Sequence, residues 1–215
     1  MTQVRTVDGR VAGRRGQATR ARLLECLAEM LATTAYRDVT VIDVARLAGT
    51  SPATFYQYFP DIQAAVLELA GEVLKDAAGL KDLAADRSWA GRSGGAAASD
   101  LVDGFLDFWR DHEAILRVVD LAAAEGDRRF TRIRMKLLNI VVNALTDAIA
   151  ELQRAGKVDG DVLPAATAGV LVTMLAATAA HTKGFESWSV RDGDLRAGLT
   201  RLVAWGVTGK KPVAA

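Results

Sequence analysis

The chain has 215 residues, half of them hydrophobic, which is enough for one large domain or for a small domain joined to a larger one. Its single cysteine, Cys26, excludes an intramolecular disulfide, and a net charge of +1 gives no reason to expect a polyanion held by bulk charge. The charge is uneven, however: residues 1–60 carry eight Arg against five acidic residues, whereas residues 61–215 carry nineteen basic against twenty-one acidic ones.

The N-terminus lacks the charged start, apolar stretch and small-residue cleavage site of a secretory signal, so a cytoplasmic protein is expected. Six Arg within the first 22 residues, against Asp8 alone, mark residues 1–18 as a flexible Arg-rich arm. Arg14 and Arg15 in this arm either lie along phosphates or belong to a solvated tail.

Every periodic segment has helical spacing, so the fold class is all-α. The first helix is expected from about Thr19 to Thr33, with Leu23, Leu24, Leu27, Met30 and Leu31 as its buried stripe. Cys26 falls inside this pattern as a small hydrophobe. Thr40 caps a second helix over "VIDVARLA", which Gly49 stops. Ser51 then caps a third, with Pro52 at its first position. These make a three-helix module, residues 19–60, with a helix-turn-helix. Pro60 ends the third helix and Asp61 caps a fourth, which carries Ile62, Val66, Leu69, Ala70, Val73 and Ala77 on one face.

The stretch "TSPATFYQYFP" (50–60) places Phe55 and Phe59 four residues apart, as anchors of a small core. The other face offers Pro52, Ala53, Thr54 and Gln57, short groups with methyls and an amide of the kind that read base edges in a major groove. Thr40, Thr50, Ser51, Tyr56 and Tyr58 bring hydroxyls that suit phosphates. The whole signature "TVIDVARLAGTSPATFYQYFPD" resembles the DNA-binding signature of TetR-family transcriptional regulators, over about Thr19 to Leu69. The resemblance implies a homodimer that binds double-stranded operator DNA. It also implies a C-terminal domain, residues 61–207, that binds a small apolar effector ligand and dimerises, with 208–215 as a tail. By that resemblance Thr40, Ser51, Tyr56 and Tyr58 contact phosphates, and Ala53, Thr54 and Gln57 contact bases. One position departs: the family's lysine just after the fourth helix's cap is Ile62 here, and Arg14 and Arg15 are the candidates to replace its charge.

Further on, "ADRSWAGRSGGAAASD" (85–100) reads as a break between helices. Helical segments follow at about 100–125, bent near His112, and at 128–155, 163–182 and 193–207. Phe105, Phe108 and Trp109 share a face with His112, either as ordinary core or, by the resemblance, as the wall of an effector cavity. Asn139, Asn143 and Thr173 are polar groups in apolar surroundings. They orient a ligand, pair across a subunit interface or face water; Met174 is a further ligand candidate. His112 reads as a structural histidine. The apolar run 164–180 reaches the lower limit of a membrane span, but its threonines and lack of aromatic anchors favour a packed interface helix. The last helix shows a stripe of Leu195, Leu199, Leu202, Val203 and Gly206. With Val170 and Met174 of the preceding helix, it forms the dimer interface that the resemblance implies, unless a monomer buries both.

No phosphate-binding glycine loop, nucleophile motif or metal-ligand spacing is present, so no enzyme, cofactor or metal is expected. Two functions remain. One is a ligand-responsive DNA-binding regulator, most simply a repressor; the other is a helical ligand-binding or scaffolding dimer without operator binding.

Overall fold

A computed structural model describes residue 7 and residues 13–85, 87–91 and 93–209; the expectations for the rest of the arm and for positions 210–215 lie outside the described residues. Every regular element among the described residues is helical. The chain first forms α1 (Arg14–Thr33), a 3-10 turn (Tyr36–Asp38), α2 (Val41–Leu47), α3 (Pro52–Tyr58) and α4 (Ile62–Asp76). A second 3-10 turn (Ala77–Lys81) leads to α5 (Asp82–Ala85), α6 (Ser93–Asp111), α7 (Glu113–Ala124) and α8 (Arg128–Arg154). The last elements are α9 (Pro164–Ala180), α10 (Thr182–Glu186) and α11 (Asp192–Thr208).

The caps explain where these helices start. Thr40 Oγ1 accepts from the Asp43 N–H at 3.2 Å, Ser51 Oγ from the Thr54 N–H at 3.2 Å, and Asp61 Oδ1 from the Ala64 N–H at 2.6 Å. Each satisfies a backbone donor that the first helical turn leaves without a partner. Gly49 ends α2 with φ +68°, a conformation that a side chain disfavours.

Two expected boundaries move. Helix α1 begins at Arg14, five residues ahead of Thr19, so Arg14 and Arg15 belong to its first turn rather than to a flexible arm. Helix α6 begins at Ser93, inside the expected break, because Ala97, Ala98, Leu101 and Val102 are buried and packing outweighs the glycine pair. The bend expected near His112 is a full break between α6 and α7.

The chain divides into two compact units. The first comprises residues up to Val73 together with Glu113–Ile133, and the second Leu74–His112 with the chain from Arg134 onward. The first therefore holds most of α4 and all of α7 besides the 19–60 module. In it α7 packs on α1 and buries Ile115, Leu116, Val118 and Val119, while Arg117 donates to the Leu31 carbonyl at 2.8 Å. In the second unit α6 is central, flanked by α9 and α11. Arg196 of α11 ties the bundle together by donating to Asp103 and Asp107 of α6, each at 2.8 Å.

Candidate nucleic-acid interface and effector cleft

Helix α3 is only seven residues long, and its two faces meet different environments. Phe55 and Phe59 are buried, with ring centroids 5.4 Å apart. Pro52, Ala53, Tyr56 and Gln57 are exposed, and Thr54 and Tyr58 are half-buried. A face of small and amide side chains thus remains open while the aromatics fix the helix to the module. Thr50 is half-buried, with its N–H donating to the Ala45 carbonyl at 2.9 Å in the turn.

Several hydroxyls already have partners within the module. Thr40 Oγ1 donates to Asp43 Oδ2 at 2.6 Å, so it must turn before it can donate to a phosphate. Ser51 Oγ and Thr54 Oγ1 lie 3.0 Å apart, one hydroxyl donating to the other. Val7, the one described residue of the leading segment, donates its N–H to the Gln57 carbonyl at 2.8 Å.

The four described arginines of the first 22 residues separate into two sets. Arg14 and Arg15 are exposed and form no ion pair with a described residue. Arg20 instead lies over the Phe59 ring, 4.9 Å from its centroid, and pairs with Glu68 at 2.8 Å. It therefore clamps α1 to the end of α3 and to α4. Arg22 is held by Glu25 and Glu29. Nothing in the local pattern signals the Arg20 clamp, because Glu68 is far along the chain. Ile42 is likewise missed by the helical stripe: it stands 62% exposed in the first turn of α2 because it lies off the Val44–Ala45 face.

The first turn of α4 is held from a distance as well. Gln63 accepts from Arg129 at 3.1 Å, and Arg129 in turn is fixed by Asp127 at 2.7 Å. The Arg129 side chain, followed by its own backbone N–H, holds the Asp127 carboxyl at about 2, below the usual carboxylate range. Cys26 is fully buried, and burial pushes its thiol up, away from the reactive thiolate.

The second unit contains an open cleft of about 910 Å³ between residues 78–90 and the C-terminal half of α8. Its lining includes Lys81, Arg87, Trp89, Asn143, Asp147, Glu151, Leu152 and Lys157, which is a charged cleft with an apolar floor rather than an apolar chamber. Of the expected ligand residues only Asn143 lines it. Phe105 and Trp109 are buried and stacked, 5.8 Å between centroids, so this pair is packed core. Phe108 is half-buried against the His112 ring at 4.5 Å. Asn139 and Thr173 face solvent, and Met174 is half-buried, all outside the lining.

The expected dimer residues also divide. Leu195, Leu199 and Val203 are buried in their own chain, because their stripe faces α6 and α9. Gly206 is the close-approach point of α9 and α11: a Cβ there would come within 2.9 Å of Leu171. What stays open is Val170, 69% exposed, Leu202, 46% exposed, and Trp205. Among the described residues no group of three His, Cys, Asp or Glu could hold a metal, and no helix is long and apolar enough to cross a membrane.

Comparisons with known proteins agree with this architecture. Residues 23–69 match the model for bacterial regulatory proteins of the tetR family, and residues 80–214 match that for the tetracyclin repressor-like C-terminal domain. The HTH-type transcriptional regulator EthR of Mycolicibacterium smegmatis is 36% identical over 77 residues, 35% of this chain and 36% of that protein. The chain thus aligns with about a third of the length of this curated relative. The fatty acid degradation regulator FadR of Bacillus halodurans has the same fold, with TM-score 0.65 and 13% identity over 92% of this chain and 97% of that one. A SmeT–triclosan complex superposes with TM-score 0.61 and 16% identity, covering 86% of this chain and 90% of that one. A three-helix module whose third helix keeps one face open, followed by a helical unit whose family model covers more than half the sequence, places this chain in the TetR family of bacterial regulatory proteins.

Proposed function

We propose that this chain is a ligand-responsive repressor that binds a palindromic operator as a homodimer and leaves it when a small molecule enters the cleft beside α8. It acts in the cytoplasm as a transcription factor and not as a catalyst. The observation that carries the reading is the two-sidedness of α3: Phe55 and Phe59 are sealed inside while Ala53, Tyr56 and Gln57 face solvent.

In this reading Pro52, Ala53, Thr54 and Gln57 meet base edges, with Gln57 suited to adenine. Arg14, Arg15, Thr40, Thr50, Ser51, Tyr56 and Tyr58 meet phosphates and set the register. Because Ile62 supplies no charge, the two exposed arginines carry the electrostatic share. The exposed Val170, Leu202 and Trp205 form the face that a second copy covers. Two copies of α3 must then present themselves about 34–36 Å apart to meet successive major grooves. A dimer seated on a promoter excludes polymerase without further contacts, which favours repression over activation. The SmeT–triclosan complex, a small molecule bound by a protein of this fold, supports the presence of an effector site.

DNase footprinting of the full chain on the DNA flanking its own gene is the direct test. A protected inverted repeat with half-sites one or two helical turns apart supports the proposal. Absence of protection at low salt leaves only the alternative, a helical dimer without an operator.

A further inference from the structure

Only Phe59, Pro60 and Asp61 separate α3 from α4, and Phe59 is buried, so the setting of α4 decides how α3 is held. The proline leaves this short connection little freedom of its own. Two arginines reach the first two turns of α4 from different parts of the chain. Arg20 of α1 pairs with Glu68 and lies over the Phe59 ring. Arg129 of α8 donates from Nη2 to Gln63 Oε1 at 3.1 Å. Gln63 and Glu68 are five residues apart, which at about 3.6 residues per turn puts them about 140° apart around the helix. One arginine thus holds each flank, and together they fix the rotation of α4 about its own axis.

The Arg129 side is more than a surface ion pair. Asp127 accepts the Arg129 backbone N–H at 2.8 Å and the guanidinium through both carboxylate oxygens, at 3.2 and 2.7 Å. The guanidinium is therefore fixed in direction before it reaches Gln63. Asp127 first, and then Asp61, the cap of α4, stabilise its charge. On its other side the Gln63 side chain meets the hydroxyl of Tyr36, in the 3-10 turn between α1 and α2. One glutamine is thus held by the turn that precedes α2 and by the start of α8, and all of these residues belong to the first compact unit. Partly exposed ion pairs contribute little to stability, so this convergence serves orientation rather than cohesion.

We propose that Gln63 is a positioning residue for operator binding: the Arg129 grip on its amide sets the rotation of α4, and so the angle at which α3 meets the major groove. The inference rests on the reading above that α3 meets DNA. Two copies of α3 must fit successive grooves together, so an error in that angle is repeated in both half-sites. Arg129 acts here through Gln63 and not on phosphate, since its guanidinium is committed to Asp127 and Gln63.

The test uses the full-length protein and the duplex protected in the footprint, with affinity measured over a range of salt. Gln63→Met keeps length, net charge and helix preference while removing the amide. Arg129→Lys keeps the charge but loses the planar fork that holds Asp127 and Gln63 together. Each is expected to weaken binding roughly tenfold, with the salt slope and the urea midpoint unchanged. The double variant is expected to bind no more weakly than the weaker single one, because both changes remove the same contact. Wild-type affinity in Arg129→Lys marks a plain phosphate contact, which a lysine also makes, and overturns the inference. So do losses that add in the double variant, a flattened salt slope, full affinity in Gln63→Met, or a loss of binding matched by a fall in the urea midpoint. If the unsubstituted protein protects no duplex, the regulatory reading fails and takes this inference with it. Protection by the unsubstituted protein that both variants retain at full affinity removes the inference alone.

Discussion

Phe55 and Gln57 are two residues apart on α3, and their substitution should separate folding from recognition. Phe55→Ala empties a fully buried site and is expected to cost about 3–5 kcal/mol in urea denaturation, with loss of DNA binding as a consequence. Gln57→Ala should shift stability by less than about 0.5 kcal/mol. It should nevertheless weaken operator binding by about 1–3 kcal/mol, with relaxed preference at one base pair. The arginines divide in the same way. Changing Arg14 and Arg15 to Ala is expected to flatten the salt dependence of operator binding by about 0.9 in log–log slope for each phosphate no longer neutralised, and an unchanged slope rejects their role. Arg20→Ala should instead loosen the module, because its guanidinium is committed to Phe59 and Glu68. Asp127 gives a pH signature. Since its folded carboxyl sits at about 2, below the ordinary 3.8, its contribution is complete above that ordinary value and is lost as pH falls toward about 2. Asp127→Asn should therefore make the urea midpoint less sensitive to pH across that window. At this scale the caps were legible in the sequence, since Thr40, Ser51 and Asp61 act on donors three residues away. The Arg20 clamp on Phe59 and Glu68 and the Arg129 contact with Gln63 were not, because those partners are distant in sequence and depend on the fold.

Elements show where local pattern stops being informative. A glycine pair in "RSGGAAAS" reads as a break, yet α6 passes through it because Gly94 lets the chain come close: a Cβ there would stand 2.6 Å from the Trp89 carbonyl oxygen. Replacing a helical Gly by Ala ordinarily stabilises by up to about 1 kcal/mol. Against a backbone oxygen the clash should win, so Gly94→Ala is expected to destabilise by about 1–3 kcal/mol. It should also disturb the cleft floor, which Trp89 fluorescence reports. A similar limit applies to α11. Its stripe was legible as something to be buried, but an apolar stripe does not say whether its cover comes from the same chain. Leu199 is covered by its own bundle, so Leu199→Ala should cost about 2–5 kcal/mol. Val170 and Leu202 are uncovered, so changing both to Asp should yield a folded monomer by light scattering if the proposed dimer face is right. A dimer that survives the change moves that face elsewhere.

At the scale of the molecule, helices α4 and α8 each begin in the first compact unit and end in the second. The same α8 that supplies Arg129 to the grip on Gln63 supplies Asp147 and Glu151 to the cleft. If ligand and operator select different states, each must weaken the other by the same factor. Affinity measured for one probe with and without operator, and for operator with and without that probe, should close such a cycle. A two-part helical regulator was legible from the caps, the turn glycine and the aromatic signature. The discontinuous make-up of the first unit was not, because nothing local in "EAILRVVDLAAA" states that its apolar face belongs against α1.

That discontinuity has a consequence for how the protein is made. When residue 73 leaves the ribosome, Leu31 still lacks Arg117 and α1 still lacks its cover, which arrives only with Glu113–Ile133. At ordinary elongation rates the interval is about 3–12 s. Through that time α3 stands on an unfinished support, so, on the proposed function, a half-synthesised chain is expected to hold an operator poorly.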